Sequence, residues 1–173
     1  AEGEIAAVDI IRRLEENREE RIPSDPAVLQ ENANRILLEY EKIRATDQPA
    51  FTIEELEEAM QKVMDEYAGG IATGYQYNEN QLQLADEKID QIIALAEHIG
   101  AKDMHELLFA CELKERLVVC KSLIAHLRGR KETRWHAFNE NQDYPETDEA
   151  YYRYLNSRMR DGKIELIWRD IVK

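Results

Sequence analysis

The run DMHELLFACELKERLVVCKSLIAHLRG, from Asp103 to Gly129, decides the fold. Asp103 followed three residues later by Glu106 marks a helix start, where side-chain acceptors satisfy orphan backbone N–H groups. Gly129 marks the end. At 1.5 Å per residue the rod between them is about 39 Å long. Leu107, Leu108, Phe109, Leu113, Leu117, Val118, Val119, Leu123 and Leu127 occupy more than one face of it. A helix apolar on most sides is a buried one, so this segment reads as the central helix of a bundle. Its cysteines, Cys111 and Cys120, are the only two in the chain. They fall about 180° apart around the helix axis and cannot bridge within it. A reducing, cytoplasmic compartment fits that usage.

Upstream, four more helices are expected to pack around this one. Asn78 with Gln81 caps a helix whose stripe is Leu82, Ala85, Ile89, Ile92, Ile93 and Ala96, ended by Gly100. Thr52 with Glu55 forms a capping box before Ile53, Leu56, Met60, Val63, Met64 and Tyr67, stopped by Gly69-Gly70. A helix from Ala27 to about Arg44 carries Leu29, Ala33, Ile36, Leu37 and Tyr40. Another, from Glu4 to about Arg21, carries Ile5, Val8, Ile11 and Leu14, and Pro23 and Pro26 interrupt it.

Downstream the helical period disappears. Residues 130–148, with Pro145 among them, read as an ordered loop. Two alternating runs, Tyr152 to Met159 and Lys163 to Ile171, then flank Asp161-Gly162. An Asp-Gly pair between such runs is a strong hairpin signal, because a type I′ turn needs positive φ at both residues. Ile164, Leu166 and Trp168 share one face of the second strand. The fold class is therefore mainly α, a bundle of about five helices with a short C-terminal β-hairpin. We divide one domain, 1–173, into N-terminal helices (1–50), bundle core (51–129), loop (130–148) and hairpin (149–173).

Against 23 basic residues stand 36 acidic ones, a net charge of −13, which argues against a nucleic-acid surface. Acidic runs such as Glu54, Glu55, Glu57 and Glu58 read as solvated helix faces. A local basic cluster, Arg128, Arg130, Lys131 and Arg134, stands out against them. No apolar run reaches the roughly 20 residues of a membrane span.

Self-contained catalysis is disfavoured. His105-Glu106 lacks the second imidazole of a zinc helix, since position 109 is Phe. None of the four histidines has a Glu three residues before it, as a di-iron bundle would require. No glycine-rich phosphate loop is present. These readings leave no catalytic, cofactor-binding or metal-ligating residue in the chain. What remains is the loop, in which Arg134 can bind a carboxylate or phosphate bidentately and Trp135, Phe138 and Tyr144 offer large aromatic surfaces. Two accounts of it stand: a segment wrapping its own bundle through ion pairs and buried aromatics, or a docking surface.

That loop also carries a resemblance. Lys131-Glu-Thr-Arg134 followed by Asp143-Tyr-Pro-x-x-Asp148 resembles a signature of the C-terminal helical domain of succinate dehydrogenase and fumarate reductase flavoproteins. The text at Gln61–Gly70, Asp103–Leu107, Glu112–Leu113, Glu132–Trp135 and Asn156–Arg158 is similar, in order, to the adenylylsulfate reductase alpha subunit. After Trp135 those sulfur enzymes continue Pro-Gly-Tyr-Tyr, where this chain has His136-Ala-Phe-Asn139. Both the adenylylsulfate type and a fumarate/succinate type therefore stay open.

The resemblance implies a C-terminal domain of a larger FAD-dependent oxidoreductase. FAD would belong to the parent protein, with none bound in this fragment. Its implied partners are the flavin-binding domain of the same protein and an iron–sulfur subunit. Glu132, Arg134, Trp135, Asp143, Tyr144, Pro145 and Asp148 are its signature or docking residues. The rival expectation is a free-standing helical interaction module that uses the Arg/Trp loop.

Overall fold

The computed structural model describes residues 2–16 and 25–172. The chain divides into two compact units, 1–40 and 41–173. In the first lies α1 (Glu2–Glu16), followed by most of α2 (Pro26–Arg44). Along α1, Asp9 accepts from Arg12 and Arg13, and Arg12 also reaches Glu16, so one face is a ladder of exposed ion pairs. Such pairs support a helix by a few tenths of a kcal/mol each, about 0.2–0.5. The apolar residues Ile5, Val8, Ile11 and Leu14 are exposed, as are Leu29, Ile36 and Leu37 of α2.

The expected helix end near Arg21 and the break at Pro23 lie outside the described residues. Pro26 stands one residue ahead of the helix start expected at Ala27. It opens α2 at its first position, where the missing N–H would have had no partner anyway.

The second unit is built on α3 (Ile53–Tyr67), α4 (Glu79–Ala96) and α5 (Met104–Gly129). Both capping boxes form: Glu55 N donates to Thr52 Oγ1 at 3.1 Å, and Gln81 N to Asn78 Oδ1 at 2.9 Å. Asp103 accepts from His105 N and Glu106 N, while Glu106 reaches back one residue further than a box requires, to Lys102 N. Ile53, Leu56, Met60, Leu82, Ala85, Ile89, Ala110, Leu113, Leu117 and Ile124 fill the core, and Ile43 at the end of α2 joins them. Across the surface of this packing run Arg116–Glu57, from α5 to α3, and Lys121–Asp86, from α5 to α4.

One expectation for α5 fails. Its buried residues lie on a single side, and Leu108, Val119 and Leu123 are 54%, 65% and 48% exposed. The helix is as apolar as its sequence implies, but α3 and α4 cover only one side of it. Gly129 is the last helical residue rather than the residue after the helix. Its role is spatial, since a Cβ there would meet Leu166 Cδ1 at 2.5 Å.

Leu166 belongs to the hairpin, β1 (Arg153–Arg160) and β2 (Lys163–Asp170), antiparallel with Leu155 opposite Trp168 and Met159 opposite Ile164. Asp161 and Gly162 both have positive φ, 49° and 73°, as the two-residue turn demands. Ser122 on α5 bonds Ser157 at 2.9 Å and fixes the ribbon to the helix. A two-residue parallel pairing joins Gln76–Tyr77 to Glu140–Asn141. It is too short to leave any periodicity in the sequence. Cys111 and Cys120 form no disulfide.

Candidate functional site

Arg130 leaves α5 with extended backbone, φ −99° and ψ 98°. In extended chain, residues two apart share a side, which sets Arg130, Glu132 and Arg134 together. Glu132 is 2% exposed and its carboxylate receives four donors. Arg130 Nη1 donates to Oε1 at 2.6 Å and Arg134 Nε at 3.0 Å. Arg134 Nη2 and the Asp148 amide donate to Oε2 at 2.9 and 3.0 Å. Burial pushes this carboxyl upward. The Arg134 guanidinium, the Asp148 amide and Arg130 outweigh it and hold the group below the usual carboxylate range.

The two arginines carry the network outward. Arg130 donates to the carbonyls of Tyr151 (2.8 Å) and Arg153 (2.9 Å) and lies over the Trp168 ring, tying the hairpin to the end of α5. Arg134 donates to the Asp148 carbonyl at 3.1 Å and lies over the Tyr152 ring. The carboxylate of Asp148 caps the short 3-10 turn Glu149–Tyr151 by accepting from Ala150 N.

Thr133 and Asn141 form a second buried node. Thr133 Oγ1 donates to the Tyr144 carbonyl at 2.9 Å and accepts from Asn141 N at 3.0 Å. Its own carbonyl accepts from Thr147 Oγ1, and its amide donates to the Glu146 carbonyl. Asn141 Oδ1 accepts from the amides of Asp143 and Tyr144. Sequence reasoning marks neither residue. Thr133 sits inside the quoted Glu-Thr-Arg text, but nothing in the sequence distinguishes Asn141 from an ordinary loop asparagine.

Asp143 does not pair with Arg134. Its Oδ2 accepts from Glu79 N at 2.7 Å, an anion at the amino end of α4, where orphan N–H groups and the helix dipole favour one. Tyr144 is 40% exposed with Lys131 over its ring, and Pro145 is exposed. Trp135 and Phe138 stand out at 70% and 73% exposed, so the large aromatics are not buried as the wrapping account of the loop required. They sit on a turn in which Phe138 N and Asn139 N both donate to the Trp135 carbonyl, and Asn139 Nδ2 anchors that turn to the Gly69 carbonyl.

The chemistry of the arrangement follows from its saturation. Glu132 spends its acceptor sites on four donors and has none facing solvent to act as a base. Lys131, Asp143, Tyr144, Pro145 and Asp148 line an open depression rather than an enclosed pocket. Arg128 is held by Glu79 and Asp86, so the basic cluster is largely neutralised from within. Among the described residues no group of three or more His, Cys, Asp or Glu is arranged to hold a metal. None of the described helices is long and apolar enough to cross a membrane. The segment is a hydrogen-bonded polar platform that displays two aromatic side chains.

No family model matches the chain. The chain is similar to the adenylylsulfate reductase subunit alpha of Megalodesulfovibrio gigas, 28% identical over 105 residues. That match covers 60% of this chain and 16% of the relative. Among solved structures, adenylylsulfate reductase from Archaeoglobus fulgidus superposes with a TM-score of 0.79 at 28% identity, over 93% of this chain and 27% of that one. An adenosine-5-phosphosulfate reductase in complex with sulfite gives 0.83 at 29% identity, over 99% and 28%. A quinol fumarate reductase chain from Escherichia coli shares the fold at 17% identity, with a TM-score of 0.72 over 86% and 26%. The chain thus spans about a sixth of the curated relative's length and a little over a quarter of each solved one.

Proposed function

We propose that this chain is an accessory helical domain of a longer FAD-dependent oxidoreductase, of the adenylylsulfate reductase or fumarate reductase/succinate dehydrogenase type. In that protein it packs on the flavin-binding domain and supports contact with an iron–sulfur electron-transfer subunit. The observation that carries this reading is the superposition on an adenosine-5-phosphosulfate reductase over 99% of this chain and only 28% of that one. Identity of 28–29% with the sulfur enzymes, against 17% with the fumarate reductase, favours the first type.

Residues 1–173 do not fit FAD by themselves. They hold no glycine-rich phosphate turn, and the one buried carboxylate in the loop is bonded by its own arginines. Hydride chemistry belongs to the flavin of the parent protein. This domain's contribution is to hold Glu132, Thr133 and Asn141 fixed, so that the 130–148 segment keeps one shape against its neighbours. We place the protein in a reducing, cytoplasmic compartment, in keeping with two cysteines that form no disulfide.

The test is the complete reading frame. Expressed whole, it should give a yellow protein with stoichiometric FAD that interconverts AMP plus sulfite and adenylylsulfate with an artificial electron carrier. A frame whose product contains no flavin would refute the reading. A flavin-loaded product active only on fumarate or succinate would move it to the second type.

A further inference from the structure

Ser122, His126, Gly129 and Arg130 recur at three- and four-residue steps near the end of α5, a spacing that sets side chains along one side of a helix. The other three meet the hairpin on either side of His126. Ser122 bonds Ser157, and a Cβ on Gly129 would strike Leu166 and touch Leu155. Arg130 donates to the Arg153 carbonyl and lies over Trp168, while its own amide donates to the His126 carbonyl. The Nε2 of His126 is closed off from water and has no hydrogen-bond partner. Among the described residues no other buried side-chain nitrogen or oxygen is left in that condition.

We infer that His126 is an acid-sensitive latch: in its neutral form it lets the hairpin dock on α5, and once protonated it drives the hairpin off. A neutral imidazole has one N–H and one lone pair, so Nε2 can be left as a bare acceptor. The imidazolium carries N–H on both nitrogens. Protonation therefore sets a charged donor where no acceptor stands, beside a guanidinium. Burial, and after it the Arg130 charge, hold the imidazole below the usual histidine range. No neighbouring anion is spare. The hairpin row turned to α5 is Leu155, Ser157 and Met159, with Trp168, Leu166 and Ile164 opposite, and none of these titrates. That row ends in Arg153 and Asp170, which bond each other at 2.8 Å. The far face carries Tyr154, Arg158, Arg160, Lys163, Glu165 and Arg169. Glu132 is taken by Arg130 and Arg134, and burial keeps Tyr77, beyond Arg130, uncharged. On another side of α5, Lys121 holds Asp86 and Asp90 of α4. The docked pKa lies below the released one, so docking is complete above about 6.5 and is lost as pH falls from there through the docked value. Release also cuts Arg130 from the Tyr151 and Arg153 carbonyls, which loosens a donor to Glu132.

The experiment uses the full-length polypeptide and follows hydrogen exchange at the hairpin amides by peptide fragmentation, corrected at each pH for the intrinsic rate. A two-stranded hairpin alone is marginally stable, so its ladder opens once it leaves α5. Corrected exchange in β1 and β2 should rise at least about threefold between about pH 7.5 and pH 5.5, with α3 unchanged. In His126→Gln the rise should disappear. No rise in the wild type, or a rise that persists in His126→Gln, would overturn the latch. Linkage gives a second measurement, because a proton that weakens docking must itself bind more weakly while the hairpin is docked. Exchange of the imidazole C2 proton reports the titration of His126. Gly129→Leu wedges the hairpin away from α5 and should move that midpoint upward, toward about 6.5. A midpoint indifferent to the wedge, in a protein whose α3 exchange is unaltered, would refute the coupling.

Discussion

Between α4 and α5 the groups hidden from water are aliphatic: Ile89, Ala110, Leu113 and Ile124. In residues 130–148 the hidden groups are Glu132, Thr133 and Asn141, while Trp135 and Phe138 stay outside. The two regions adjoin in sequence and are held by opposite means. Burial of aliphatic surface is non-directional and tolerates small changes in shape. A buried carboxylate is tolerable only while its partners are in place, and its loss strands the arginines that were built around it. The bundle therefore supplies bulk stability, and the segment after it supplies one defined shape.

Three substitutions would break or sharpen that contrast, all read by urea unfolding. Leu113→Ala removes a side chain that is 1% exposed at the centre of the aliphatic region. It should cost about 2–5 kcal/mol, depending on how far the neighbours close over the cavity. Glu132→Gln keeps the volume and removes the charge. It should cost about 3 kcal/mol, the low end for breaking a buried pair, since both arginines keep about a quarter of their side chains in water. Trp135→Ala should change stability by less than about 0.5 kcal/mol, because the indole is 70% exposed. A large loss there would mean that the aromatics hold the loop after all.

Acid separates the two regions in a second way. The folded-state pKa of Glu132 lies below its unfolded value, so its contribution is present above the usual glutamate range. It is lost as pH falls from about 4.3 through the folded value. The stability gap between wild type and Glu132→Gln should narrow over that window, whereas the gap for Leu113→Ala, which has no titrating group, should hold through it.

Much of this architecture is legible without coordinates. The capping pairs Thr52/Glu55 and Asn78/Gln81 are readable because an orphan N–H and its acceptor lie three residues apart. Asp161-Gly162 is readable because positive φ has so few suitable residues. Glu132, Arg134 and Asp148 stand out as a group by resemblance, yet the Arg130 ties to Tyr151 and Arg153 do not, nor do Thr133 and Asn141. Those bonds join residues up to 23 positions apart through backbone carbonyls and amides, which nearly every residue possesses and no side-chain pattern marks.

Local chemistry written into the chain determined the helices, their starts and the reversal at the hairpin, since each depends on neighbours within a turn or two. Which half of α5 would be covered, whether Asp143 would serve Arg134 or the amino end of α4, and which way Trp135 and Phe138 would face were decided only in three dimensions. Those outcomes depend on which distant backbone arrives first at hydrogen-bonding or van der Waals range, and side-chain spacing along a sequence carries no measure of that distance.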